Sequence, residues 1–99
     1  MFVRGIALLL FSAGSFAADQ KTQDVYKSKC QGCHGADGKA TVIGKKLGAK
    51  DFSDADVAKI SEADLVKITT DGKNKMPAYK SKLTDDQIKD LVKYVREMK

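Results

Sequence analysis

The most distinctive chemistry in the sequence sits in the run Cys30-Gln31-Gly32-Cys33-His34. C-x-x-C-H is the spacing of covalent c-type haem attachment. Two thiols at i and i+3 leave the same side of a helix end, so both can add to the vinyl groups along one edge of a porphyrin. The next residue, His34, then brings its imidazole beneath the ring as an iron ligand. Three other chemistries compete for these residues. A thioredoxin-like C-x-x-C needs a βαβ setting, and strand patterns are nearly absent here. A structural zinc site wants four nitrogen or sulfur ligands, whereas one histidine and two cysteines supply three. A plain Cys30–Cys33 disulfide leaves His34 without a role. Haem attachment uses all three residues.

The motif stands in a chain of 99 residues, room for one small domain. Part of that length reads as a leader. Arg4, the apolar stretch Gly5 to Phe11 and the small-residue end Ser15-Phe16-Ala17 have the layout of a secretory signal peptide over 1–17. The apolar stretch is far short of the roughly 20 residues of a membrane span. Cleavage after Ala17 or Ala18 is expected, and the domain then runs over 18–99. Those 82 residues carry 17 Lys and Arg against 13 Asp and Glu, a net charge of +4. A domain of this size buries little core and commonly relies on disulfides, a metal or a prosthetic group. Two cysteines exclude a multi-bridge scaffold, and the length excludes a doubly wound nucleotide-binding domain. The charge is too modest for a nucleic-acid binder, and only Arg96 remains among arginines after the leader.

The elements that must position the motif are helical. Thr84-Asp85-Asp86-Gln87 is a capping box, with Leu83 and Ile88 placed as a hydrophobic staple. Ile88, Leu91, Val92 and Val95 then recur on one helical face, with Asp85 and Asp86 in the first turn and Arg96 and Lys99 in the last. A second helix is expected from Ser61, with Asp64 in a weaker box and Ile60 facing Leu65, to the helix-ending pair Asp71-Gly72. A short helical turn capped by Ser53 precedes it, over 53–60. Thr22, Tyr26, Cys30 and Cys33 share a face of a helix expected over 21–31. Segments 35–52 and 72–83 read as irregular. The expectation is an all-α fold of about four helices with two functional loops.

In this order, the residues resemble the class I monohaem cytochromes c in their short bacterial form, across essentially the whole of 18–99. Tyr26 matches the aromatic of the family's N-terminal helix, and Cys30, Cys33 and His34 match its haem motif. Gly35-Ala36-Asp37-Gly38 looks like the loop that follows. Gly72 to Tyr79 looks like the segment supplying a methionine ligand, and the last helix, with Leu91 and Tyr94, looks like the one that crosses the N-terminal helix. The resemblance implies a cytochrome c-like fold around one covalently bound haem c, with Cys30 and Cys33 as thioethers and His34 and Met76 as axial iron ligands. Met76 is favoured over Met1, which lies in the leader, and Met98, at the end of the last helix. The only proline, Pro77, follows Met76 and holds it extended.

Two positions depart from the family. A proline usual in the loop after the motif is replaced by Val42, in Thr41-Val42-Ile43-Gly44, which leaves open which carbonyl receives the His34 Nδ1 proton. A glycine common eight residues before the first cysteine is Thr22 here, implying a slightly wider helix crossing.

Histidine plus methionine closes both axial positions and suits electron transfer. The resemblance therefore implies an electron carrier, not an enzyme. The alternative is a haem c protein with an open or labile sixth site, acting as a peroxidase or small-ligand sensor. Redox-protein donors and acceptors are the expected partners, with peripheral contact to a membrane complex and a monomeric state. Lys73, Lys75, Lys80 and Lys82 fall between Gly72 and Leu83 with no acid, and would steer a partner with an acidic docking surface. The periplasm is the expected compartment and a thylakoid lumen the alternative.

Overall fold

A computed structural model describes residues 19–98, so the leader expected over 1–17 and its cleavage point lie outside the described residues. The chain forms α1 (Gln20–Lys29), α2 (Gln31–His34), α3 (Val42–Lys46), α4 (Ala55–Ala58), α5 (Glu62–Asp71) and α6 (Asp85–Arg96), with one isolated bridge between Lys73 and Met76. Among the described residues the all-α expectation holds, with six helical elements where about four were expected. The helix expected over 21–31 is interrupted at Cys30, so the haem motif forms its own turn, α2. The loop expected over 35–52 contains α3. The cap of α4 is Asp54, whose side chain accepts from the Asp56 N–H, not Ser53.

The last helix follows its sequence closely. The Thr84 side chain accepts from the Gln87 N–H at 3.1 Å, and the Thr84 N–H donates to Gln87 Oε1 at 2.9 Å. Leu83 and Ile88 are both buried, as a staple requires. Ile88, Leu91 and Val92 turn the apolar face of α6 inward. The core gathers Tyr26, Tyr79, Leu83, Ile88 and Leu91, where α1 and α6 pack together. Tyr26 meets Tyr94 edge-on, with ring centroids 5.3 Å apart at 81°, a favoured aromatic geometry. Thr22 is buried in this pairing. A groove of about 270 Å³ lies beside it, lined by Val25, Asp86 and Asp90 among others.

Two glycines let loops close tightly. Gly44 lies against α2, where a Cβ would stand 2.0 Å from the Cys33 carbonyl oxygen. Gly72 ends α5 at φ +81°, where a Cβ would stand 2.8 Å from the Met76 carbonyl oxygen. Arg96 ties α6 to the α4–α5 junction, donating to the carbonyls of Val57 and Ile60.

Val42 is the first residue of α3 and is 73% exposed, and Thr41 before it is extended, with φ −72° and ψ 171°. A proline is tolerated at a first helical position and requires an extended predecessor. Val42→Pro should therefore raise stability by about 0.4–1 kcal/mol, by restricting the unfolded chain. Denaturant unfolding of the two proteins compares them directly. A lowered midpoint would show that the Val42 N–H or side chain contributes to the native state.

Candidate haem site

The motif turn is fixed by its own backbone and by the loop that returns over it. The His34 N–H donates to the Cys30 carbonyl at 3.0 Å. Thr41 then satisfies the exposed carbonyls at the end of this turn. Its N–H donates to the Cys33 oxygen at 3.0 Å, and its hydroxyl donates to the Gly32 oxygen at 2.8 Å. Tyr26 reaches across from α1, its hydroxyl donating to the Gly35 carbonyl at 2.6 Å. The aromatic singled out before the motif thus anchors the loop behind it.

Met76 is positioned from the other side of the molecule. Lys73 and Met76 exchange backbone hydrogen bonds at 3.1 and 2.9 Å around a tight turn, with Asn74 at φ +54°, a conformation asparagine tolerates. The turn is seated on the end of α5. The Tyr79 and Lys80 N–H groups donate to the Thr69 and Thr70 carbonyls, both at 3.1 Å, filling acceptors that a helix C-terminus leaves open. The Tyr79 hydroxyl then reaches back to the Lys29 carbonyl at 3.0 Å, fifty residues away in sequence. Loop and motif are locked to each other.

Cys30, Cys33, His34 and Met76 all line one cavity of about 510 Å³. Leu65 and Ile68 of α5, Phe52, Pro77, Val92 and Val95 supply much of its apolar wall. No residue of α5 is fully buried; Leu65 and Ile68 face this cavity, while Val66 packs against the core. Both cysteines are half-buried and no disulfide joins them. Burial pushes the Cys30 thiol up to about 11. Reactive redox thiols are held low instead, so Cys30 is ill suited to thioredoxin-like attack. Burial lowers the pKa of His34, favouring the neutral imidazole that binds metals. Its Nδ1 is buried with no hydrogen-bond partner among the described residues. Its ring lies flat against Phe52, with centroids 4.8 Å apart at 25°.

The family described as "Cytochrome C oxidase, cbb3-type, subunit III" matches residues 17–95. Cytochrome c6 of Nostoc sp. (strain PCC 7120 / SAG 25.82 / UTEX 2576) is 37% identical, over 92% of this chain and 83% of that protein. Cytochrome c6 of Gloeothece citriformis is 36% identical, over 93% of this chain and 86% of its own length. Among solved structures, the KustC0563 c-type cytochrome superposes with a TM-score of 0.74 at 38% identity, covering 79% of this chain and 96% of that one. The chain belongs to the class I monohaem cytochromes c. Cytochrome c6 from the diatom Phaeodactylum tricornutum shares the fold at a TM-score of 0.58 and 26% identity, over 77% of this chain and 87% of that one.

As a member of this family the cytochrome carries one covalently bound haem c. Its residues suit that group. An apolar cavity holds two thiols one helical turn apart, one neutral imidazole and one thioether, the donor set that haem c ligation uses. Sequence reasoning missed Phe52, although it is the only phenylalanine after residue 16. It also missed the Tyr79 and Arg96 hydrogen bonds to backbone carbonyls. Met98, expected at a loose helix end, instead packs against the core near Gly38.

Proposed function

We propose that this cytochrome is an exported one-electron carrier, with Cys30 and Cys33 as thioethers and His34 and Met76 as the axial ligands. The carrying observation is that all four side chains line the same apolar cavity. The bound haem supplies a single iron-centred electron. The protein's part is to hold both axial donors rigidly and keep water away, so that little reorganises when charge changes. His34 is fixed at the end of α2, Met76 in a turn seated on α5. The apolar wall and the thioether ligand both favour a raised reduction potential. The peroxidase or ligand-sensor alternative needs a polar group for acid–base work at an open site. His34 is the sole histidine, and Asp56, the one acid lining the cavity among the described residues, is exposed and paired with Lys50 at 3.2 Å. An electrochemical titration of the exported protein should be reversible and involve one electron. Irreversible behaviour, or turnover of peroxide at enzyme-like rates, would contradict the assignment.

The lysines beside the Met76 turn give this function a docking surface. Lys73, Lys75, Lys80 and Lys82 are all exposed, and Lys73 and Lys75 line the cavity itself. Lys82 lies over the Tyr79 ring at 5.6 Å, keeping its stem near the same face. An acidic redox partner is drawn to such a surface, and steering of this kind raises association rates by about 10- to 1000-fold. Replacing all four lysines by glutamine should lower the low-salt electron-transfer rate by about tenfold or more and flatten its salt dependence. A parent rate that ignores salt would remove these residues from the docking surface.

A further inference from the structure

The surroundings of His34 hold a feature that axial ligation alone does not explain. A metal-bound histidine commonly donates its second ring N–H to a carbonyl, carboxylate or water, and that bond sets the plane of the ring. Here His34 Nδ1 is buried and has no protein acceptor among the described residues. The carbonyls at the end of the motif turn already accept other bonds. Those of Gly32 and Cys33 accept from Thr41, and that of Gly35 accepts from Tyr26. What meets the imidazole is the face of Phe52, 4.8 Å away and within 25° of parallel.

Phe52 is itself firmly held. Its N–H donates to the Gly38 carbonyl at 2.9 Å, and the Asp51 side chain before it accepts from the Ala40 N–H at 2.8 Å. The ring lies so close to the backbone at Gly38 that a Cβ there would stand 3.0 Å from its Cδ2. It also packs against the buried core. A ring pinned by backbone on one side presents a fixed flat surface on the other.

We propose that Phe52 is a positioning residue that sets the plane of the His34 imidazole by face-to-face contact, in place of a hydrogen-bond acceptor on Nδ1. The inference rests on the assignment of His34 as an iron ligand. Without an acceptor the imidazole gains no added basicity from its second nitrogen. Its orientation then rests on packing against Phe52.

The test uses the exported, haem-loaded protein. In the ferrous, diamagnetic state the His34 ring protons should be shifted far upfield by the porphyrin and should show cross-relaxation with the Phe52 ring protons. Unshifted His34 protons would refute the ligand assignment itself. Shifted protons with no contact to Phe52 would overturn the positioning role while leaving ligation intact. In the ferric state the pattern of haem-methyl shifts reports the ligand plane. Phe52→Leu, which keeps apolar bulk but removes the flat face, should alter that pattern and shift the reduction potential. Phe52→Tyr should restore the parent's pattern. A Leu variant with the parent's methyl shifts and potential would overturn the proposal. If the Leu variant does not mature, the ring contacts in the parent and the Tyr pattern still decide it.

Discussion

Changing both Cys30 and Cys33 to alanine should abolish covalent haem and take most of the native helix content with it. The size of this effect follows from how the chain is built. The cavity between the motif turn, α5 and α6 is about 510 Å³, while the buried protein core is confined to a few side chains such as Tyr26, Ile88 and Leu91. A domain this small has little stability to spare without its prosthetic group. α5, which has no fully buried residue of its own, should be the first element to lose order. Mass spectrometry of the matured parent should show one haem added, retained in denaturant and in reductant. The double variant should show the bare polypeptide, with greatly weakened far-ultraviolet helical signal. Two free thiols or a reducible disulfide in a matured parent sample would contradict the thioether assignment.

The second large effect is expected at Met76. Met76→Ala should leave the fold largely intact, because the turn that carries residue 76 is held by backbone hydrogen bonds from Lys73, Tyr79 and Lys80. It should open the sixth coordination position. The reduction potential should fall, since methionine ligation raises it, and the ferrous variant should bind carbon monoxide rapidly where the parent does not. Flash photolysis and a redox titration of the two proteins give both readings. An unchanged potential in Met76→Ala would pass the ligand role to another residue, Lys73 or Lys75 being the nearest alternatives in sequence.

Much of this arrangement is legible in the sequence, because the decisive features are local. The C-x-x-C-H run fits within one turn, the Thr84 box and Leu83–Ile88 staple span six residues, and Asp71-Gly72 marks the end of α5. What escaped is non-local or brief. α3 covers five residues with Gly44 in the middle, too short and too poor in helix formers to show a period. Its existence depends on Thr41 capping and on close packing against Cys33, neither visible before the chain is folded. The break at Cys30 serves the motif turn, and nothing in the local residue pattern signals it. The Phe52–His34 stack and the Tyr79–Lys29 bond join residues far apart in sequence. Even the Val42 departure takes its meaning from the structure. Its backbone already has the geometry that suits proline, while the unpartnered atom lies at His34.

The central claim is a six-coordinate haem closed by His34 and Met76, and the visible spectrum of the purified parent protein tests it most directly. The ferric protein at neutral pH should show the weak sulfur-to-iron band near the red edge of the visible range, and the ferrous protein should not take up carbon monoxide readily. A parent that lacks the band and binds carbon monoxide at once would have an open sixth site, and the electron-carrier assignment would give way to a ligand-binding or peroxidase one.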